Sequence, residues 1–170
     1  MSRLFLLRHA KASWADPGMR DFDRKLSQEG IEEAAAMGSA LRHRGLVPNK
    51  IICSSALRAR QTFDAMNNGH SDDWITRVDY DEKLYSTDAP GYLEVAAATH
   101  FSGDLMLIGH NPMLEDLAIG LGQNGNHEAY SQINMGFATA AVAILHFDGN
   151  FSDIQKAKWI LDDYIRPRDI

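Results

Sequence analysis

Cysteine is almost absent: the 170 residues contain one, Cys53. A single thiol excludes an intramolecular disulfide framework, and a reducing cytoplasm is the expected setting. A positive charge balance is missing too. Lys and Arg number 17 against 23 Asp and Glu, a formal net charge of -6, whereas nucleic-acid binders are usually basic. No nucleic-acid partner is expected, and any attraction for an anion has to come from a few cations in one pocket. Long apolar runs are lacking as well. The run nearest the N-terminus, Leu4-Phe5-Leu6-Leu7, leads straight into Arg8-His9. It is too short for the hydrophobic region of a signal peptide, and no stretch reaches membrane-spanning length. There is no HExxH pair, no cysteine cluster and no glycine loop ending in Gly-Lys-Ser/Thr, so neither a metal nor a cofactor is expected.

What is present fits an ordinary soluble protein. Hydrophobic residues make up 45% and charged residues 24%, the average balance for globular chains. A chain of this length suits one domain, residues 1–170, with a sizeable core.

Leu4 to Leu7 reads as a strand buried on both faces, which delivers Arg8, His9 and Ala10 to its carboxyl end. A polar loop follows from Lys11 to Lys25, with Trp14, a Pro17-Gly18 turn and the group Asp21-Phe22-Asp23-Arg24. Ser27 predicts a helix N-cap, and Ile31, Ala34, Ala35, Gly38 and Leu41 fall on one face. Gly45 and Pro48 end that helix, with His43 in its last turn, where a cation suits the dipole. Ile51-Ile52-Cys53 is a second buried strand. Ser54-Ser55 offers the cap of a helix that carries Ala59, Phe63 and Met66 inward and stops at Gly69. Val78 to Tyr80 forms a short strand, and Pro90 opens a helix to about Thr99. A third buried strand, Leu105 to Ile108, ends in Gly109-His110. Asn111 as N-cap and Pro112 at the first helical position begin the next helix, with Leu114, Leu117, Ala118 and Leu121 inward and Gly122 at its end. Gln123 to Gly136 reads as an irregular loop, Ala138 to Phe147 as a strand, Asp148-Gly149 as a turn, and Ile154 to Leu161 as an antiparallel edge strand. These elements predict an α/β fold: three layers, α/β/α, around a mostly parallel sheet.

Three strand ends then carry Arg8-His9, Arg58 and His110. Arg58 lies in the first turn of its helix, where a cation opposes the macrodipole unless an anion sits between it and the free amides. Arg60, two positions on, points elsewhere. In open α/β sheets the ligand crevice lies beyond the carboxyl ends of parallel strands. Two arginines and two histidines meeting there suit phosphate, whose oxygens match guanidinium forks.

Leu7-Arg8-His9-Ala10, the run Ser54 to Thr62 and Ile108-Gly109-His110-Asn111-Pro112 together resemble the histidine phosphatase superfamily, which includes phosphoglycerate mutases and acid phosphatases. Arg-His-Ala in place of Arg-His-Gly, the segment Asp23-Arg24-Lys25-Leu26-Ser27 with Gly30, and the compact length are similar to its SixA-like branch, the phosphohistidine phosphatases. The resemblance implies a phosphoglycerate mutase-like fold and a metal-independent phosphatase. It also implies that His9 is the nucleophile, with Arg8, Arg58 and His110 binding phosphate. Its implied substrate is a phosphohistidine-bearing protein or a small phosphate ester.

Departures bear on substrate. An Asn that follows the nucleophile by six positions in mutase-like members is Ala15 here, and the insertions that close over substrate in mutases are missing. Larger members place a carboxylic acid between the second and third motifs, where this chain has Asp81-Glu82; Glu82 is the candidate, with a solvated loop carboxylate as the alternative. Asp21, Asp23 and Arg24 are candidates for the rim, and Ser13 for a phosphate donor. His70, His100, His127 and His146 are expected to be structural or on the surface. Two other functions fit the same motifs: a phosphomonoesterase for a small metabolite, and a non-catalytic module that binds phosphorylated partners.

Overall fold

The computed structural model describes residues 1–67 and 78–170; the expected helix stop at Gly69 and the expected position of His70 lie outside them. Its centre is a six-stranded sheet built from β1 (Ser2–Arg8), β2 (Lys50–Ser54), β3 (Val78–Asp81), β4 (Asp104–Gly109), β5 (Val142–Phe147) and β6 (Ile160–Ile165). The strand order is β3-β2-β4-β1-β5-β6. β1 to β4 run parallel, and β5 with β6 forms the antiparallel edge pair.

The helices are α1 (Gln28–His43), α2 (Leu57–Asn67), α3 (Lys83–Ser86), α4 (Ala89–Ala97), α5 (Met113–Leu121) and α6 (His127–Asn134). Alternation along β1 divides them into two layers. Leu4 and Leu6 join a cluster with Tyr92, Leu114, Leu117 and Ile133 from α4, α5 and α6. Phe5 and Leu7 join one with Ala34, Met37, Leu41, Phe63 and Met66 from α1 and α2. Two buried faces explain why β1 and β4 are apolar at every core position rather than at alternate ones.

Ser27 caps α1 by accepting from the Gly30 amide, and Gly45 takes the left-handed conformation just after it. The buried face of α1 is Gly30, Ala34, Met37, Gly38 and Leu41, while Ile31 and Ala35 are exposed. Gly30 sets this rotation: a Cβ there would overlap the Lys11 backbone, and the Ser27 amide donates to Lys11 O at 2.9 Å.

Four expectations need correction. Residues 123–136 are not all loop. Asn126 accepts from the Ala129 amide and starts α6, which buries Ala129 and Ile133, a spacing of four that one short helix suffices to satisfy. The strand expected over Ile154 to Leu161 is displaced. Asn150 caps a 3-10 turn, Phe151–Lys156, whose Phe151 and Ile154 turn inward, and the edge strand begins at Ile160. β5 starts at Val142 rather than Ala138, because Ala140 has φ 54°, which an extended strand cannot contain. Asn111 does not cap α5. Pro112 occupies the cap position, and the Asn111 side-chain Nδ2 donates instead to Glu115 Oε2 at 3.2 Å and Phe137 O at 3.3 Å.

Candidate active site

β2, β4 and β1 are adjacent and parallel, so the three junctions expected to share a crevice do so. β1 pairs Arg8 with Gly109 of β4, and the His9 amide donates to Gly109 O at 2.9 Å. His9 and His110 therefore leave neighbouring strand ends, with ring centroids 5.1 Å apart. Gly109 is required there: a Cβ would overlap the Tyr92 hydroxyl. That hydroxyl accepts from the His110 amide at 3.1 Å and donates to Leu84 O at 2.6 Å. Thr62 ties the third junction to the first, accepting from the Ala10 amide at 2.9 Å and donating to Arg58 O at 2.7 Å.

His9 is buried, and its Nδ1 lies 2.7 Å from Ala10 O. A carbonyl can only accept, so Nδ1 carries the proton and Nε2 keeps a lone pair. Arg58 Nε donates to that Nε2 at 3.2 Å. Burial drives the His9 ring down to about 4, against the pull of the Ala10 carbonyl and with help from Arg58 and Arg8. The ring is neutral at pH 7.

His110 is more enclosed, and burial, His9 and Arg58 push it down to about 3. Its Nε2 lies 2.8 Å from Ser54 Oγ, which also accepts from the Ala56 amide. The Ser54 hydroxyl can donate its proton to His110 Nε2, an arrangement that leaves the ring hydrogen on Nδ1. Among the described residues that Nδ1 is buried with no partner, and so is Arg8 Nε. Arg8 Nη1 donates to Phe137 O at 2.6 Å, and Glu115 Oε2 braces the same residue by accepting from the Phe137 amide at 2.7 Å. Two buried, unpaired N–H donors beside a neutral ring nitrogen form a place for an oxyanion.

Arg58 is anchored by Asp21, whose backbone carbonyl accepts from Nη1 at 2.7 Å and whose Oδ2 accepts from Nη2 at 3.0 Å. Tyr85 from α3 donates to the same Oδ2 at 3.0 Å, and Arg24 Nη1 to Oδ1 at 3.1 Å. Partial burial works to raise the Asp21 carboxyl, but Arg24, Tyr85 and Arg58 overcome it and hold it below the usual carboxylate range. The Tyr85 ring also stands edge-on to His110 and to Phe22.

Arg8, His9, Arg58 and His110 come together, then, and Asp21 and Arg24 border them. Asp23 pairs with Arg20. The Ser13 hydroxyl donates to Leu26 O at 3.0 Å and braces the loop. Glu82 is exposed and makes no side-chain hydrogen bond or ion pair with the four central residues among the described contacts. Arg60 lies over the Tyr80 ring, away from the crevice. Tyr85, Tyr92 and Glu115 carry no sequence signal of their own; Ser54 and Thr62 bound the second motif, and the distance of four between Arg58 and Thr62 puts those two on one helix face. Among the described residues, no group of three or more His, Cys, Asp or Glu could hold a metal ion, and no helix is long and apolar enough to cross a membrane.

Residues 4–89 match the histidine phosphatase superfamily (branch 1). An uncharacterized protein of Mycobacterium tuberculosis is 33% identical over 170 residues, covering 95% of this chain and 100% of its own. The candidate phosphohistidine phosphatase SixA of Agrobacterium tumefaciens is 32% identical with a TM-score of 0.81, covering 98% of both chains. A second structure, of a candidate phosphohistidine phosphatase SixA from Nakamurella multipartitia, is 27% identical with a TM-score of 0.84 and covers 98% of this chain and 96% of its own. The chain belongs to the histidine phosphatase superfamily, which includes phosphatases. Its sheet and helices have the phosphoglycerate mutase-like fold.

Proposed function

We propose that this protein is a metal-independent phosphatase acting on phosphohistidine carried by another protein, through a phosphoryl group held transiently on His9. The observation that carries this is the state of His9: neutral at pH 7, its proton tied to Ala10 O, with Nε2 left as the nucleophile.

His9 Nε2 attacks phosphorus while the bond from phosphorus to the substrate's imidazole nitrogen breaks; the other nitrogen of that ring has taken a proton from water, so the imidazole leaves neutral. Arg58 Nε–H passes from His9 Nε2 to a phosphoryl oxygen, and Arg8 Nε and His110 Nδ1 supply the further donors for the charge of transfer. Water then attacks phosphorus, phosphate leaves, and His9 regains its lone pair.

The carboxylates point to the leaving group. Asp21 is held as an anion by two arginines and a tyrosine, and Glu82 is exposed. Among the described residues no carboxylic acid is poised to protonate an alkoxide, which an alkyl phosphate must expel. Imidazole is far less basic and leaves with little help. The likeness to the SixA of Agrobacterium tumefaciens supports the same substrate class.

Rapid quench with a phosphoimidazole donor in excess chelator should trap acid-labile, base-stable phosphate on His9. A phosphohistidine protein should exceed alkyl phosphates in kcat/KM by roughly 10³-fold or more. Label on another residue, normal turnover by His9→Ala, loss of activity in chelator restored by a divalent ion, or efficient use of glycerate phosphates would refute the proposal. The last outcome would favour a small-molecule phosphomonoesterase, and turnover of neither class would leave a phosphoprotein-binding module.

A further inference from the structure

Asp21 holds Arg58 by two different groups at once. Its backbone carbonyl takes Nη1 and its carboxylate takes Nη2. A guanidinium is planar, so fixing both terminal nitrogens fixes the direction of the third N–H. That direction is onto His9 Nε2, the atom that must meet phosphorus. The Arg58 side chain is 8% exposed, which leaves it little room for another rotamer. Asp21 is itself held, by Tyr85 on one oxygen and Arg24 on the other, and it sits in a one-turn 3-10 helix, Asp21–Asp23, against α2.

The same carboxylate is a negative charge at the edge of a site for a negative group. It lowers the attraction that Arg58 offers a free oxyanion. An arrangement built only to bind phosphate tightly has no use for it; one built to aim Arg58 during transfer does.

We propose that Asp21 is a positioning residue, which aligns Arg58 on the phosphoryl group in transfer at the expense of affinity for free phosphate. This rests on the function proposed above. Alignment and charge make opposite demands, so removing the charge should move two measurements in opposite directions. A residue that only supports folding would move both the same way.

Asp21→Asn keeps the shape and the backbone carbonyl but removes the charge. The dissociation constant of inorganic phosphate should fall about tenfold, the scale of one nearby like charge removed in a partly screened site. The single-turnover rate of His9 phosphorylation should fall about tenfold or more, the scale of a misaligned donor. Tyr85→Phe keeps the Asp21 charge and removes one hydrogen bond to it. There the rate should fall several-fold while phosphate affinity stays unchanged. Parallel weakening of phosphate binding and rate in Asp21→Asn, or an unchanged rate in both variants, would overturn the proposal. Failure of the wild-type protein to form phosphohistidine at His9 would instead overturn the proposed function, since phosphate affinity can still be measured in that case.

Discussion

A histidine attacks phosphorus only while one ring nitrogen keeps its lone pair. Here burial supplies the neutral ring and one backbone carbonyl chooses the nitrogen. Arg58 depends on geometry in the same way, since three of its N–H groups are directed at two Asp21 atoms and His9. Lysine keeps the charge but cannot span those acceptors. Arg58→Lys should therefore slow turnover on the order of 10²-fold, measured as kcat on a phosphoramidate; near-normal kcat would mean that Arg58 contributes only general positive potential. Arg8, His9 and His110 were legible in the sequence because each sits where an apolar strand run ends, and Arg58 because it opens the helix that follows one. Asp21 was legible only as a rim residue, and Tyr85 not at all. Both reach the site through loop closure, which leaves no periodic trace in the chain.

At the scale of elements, strand ends carry the chemistry and buried hydroxyls hold them in register. Tyr92 links α4 to both β4 and α3, through the His110 amide and Leu84 O. Tyr92→Phe would strand two buried backbone groups, at about 1–3 kcal/mol each. The urea midpoint should drop by the equivalent of about 2–6 kcal/mol with an unchanged slope; a loss under about 0.5 kcal/mol would show that water or relaxation satisfies both groups. β1, β2 and β4 could be read from sequence because both faces are buried and the runs are continuous. α6 and the start of β6 could not. α6 has eight residues and buries two of them, too few to raise a helical period above the polar background. Ile154 sits three residues beyond Phe151 in a 3-10 turn, yet alone it reads as the start of a strand.

For the molecule as a whole, the two buried histidines tie folding to pH. In the fold His9 lies at about 4 and His110 at about 3, against an ordinary 6.5. The unfolded chain therefore takes up protons first as pH falls. Stability present above about 6.5 is lost progressively toward pH 4, at ~2 kcal/mol per ring by pH 5. Denaturant unfolding at pH 7 and pH 5 measures the loss, which His110→Gln should reduce by about half. Equal pH dependence in wild type and variant would assign the acid sensitivity to other groups. The net charge of -6 bears on none of this, because the site's cations act within a few ångströms of one another. Composition could say that anion binding had to be local; it could not say where.

The order of strands in the sheet sets a timetable for synthesis. β1 leads into the proposed nucleophile, His9, and leaves the ribosome before every other strand of the sheet. Its two partners are β4 and β5, ending at Gly109 and Phe147. Until both have emerged, Leu4 to Leu7 must wait with unpaired edges and exposed apolar faces, the state in which nascent chains aggregate or recruit chaperones. His9 and Arg8 thus gain their final surroundings only once the chain has been made as far as Phe147. A half-made protein has the residues of the site without the site.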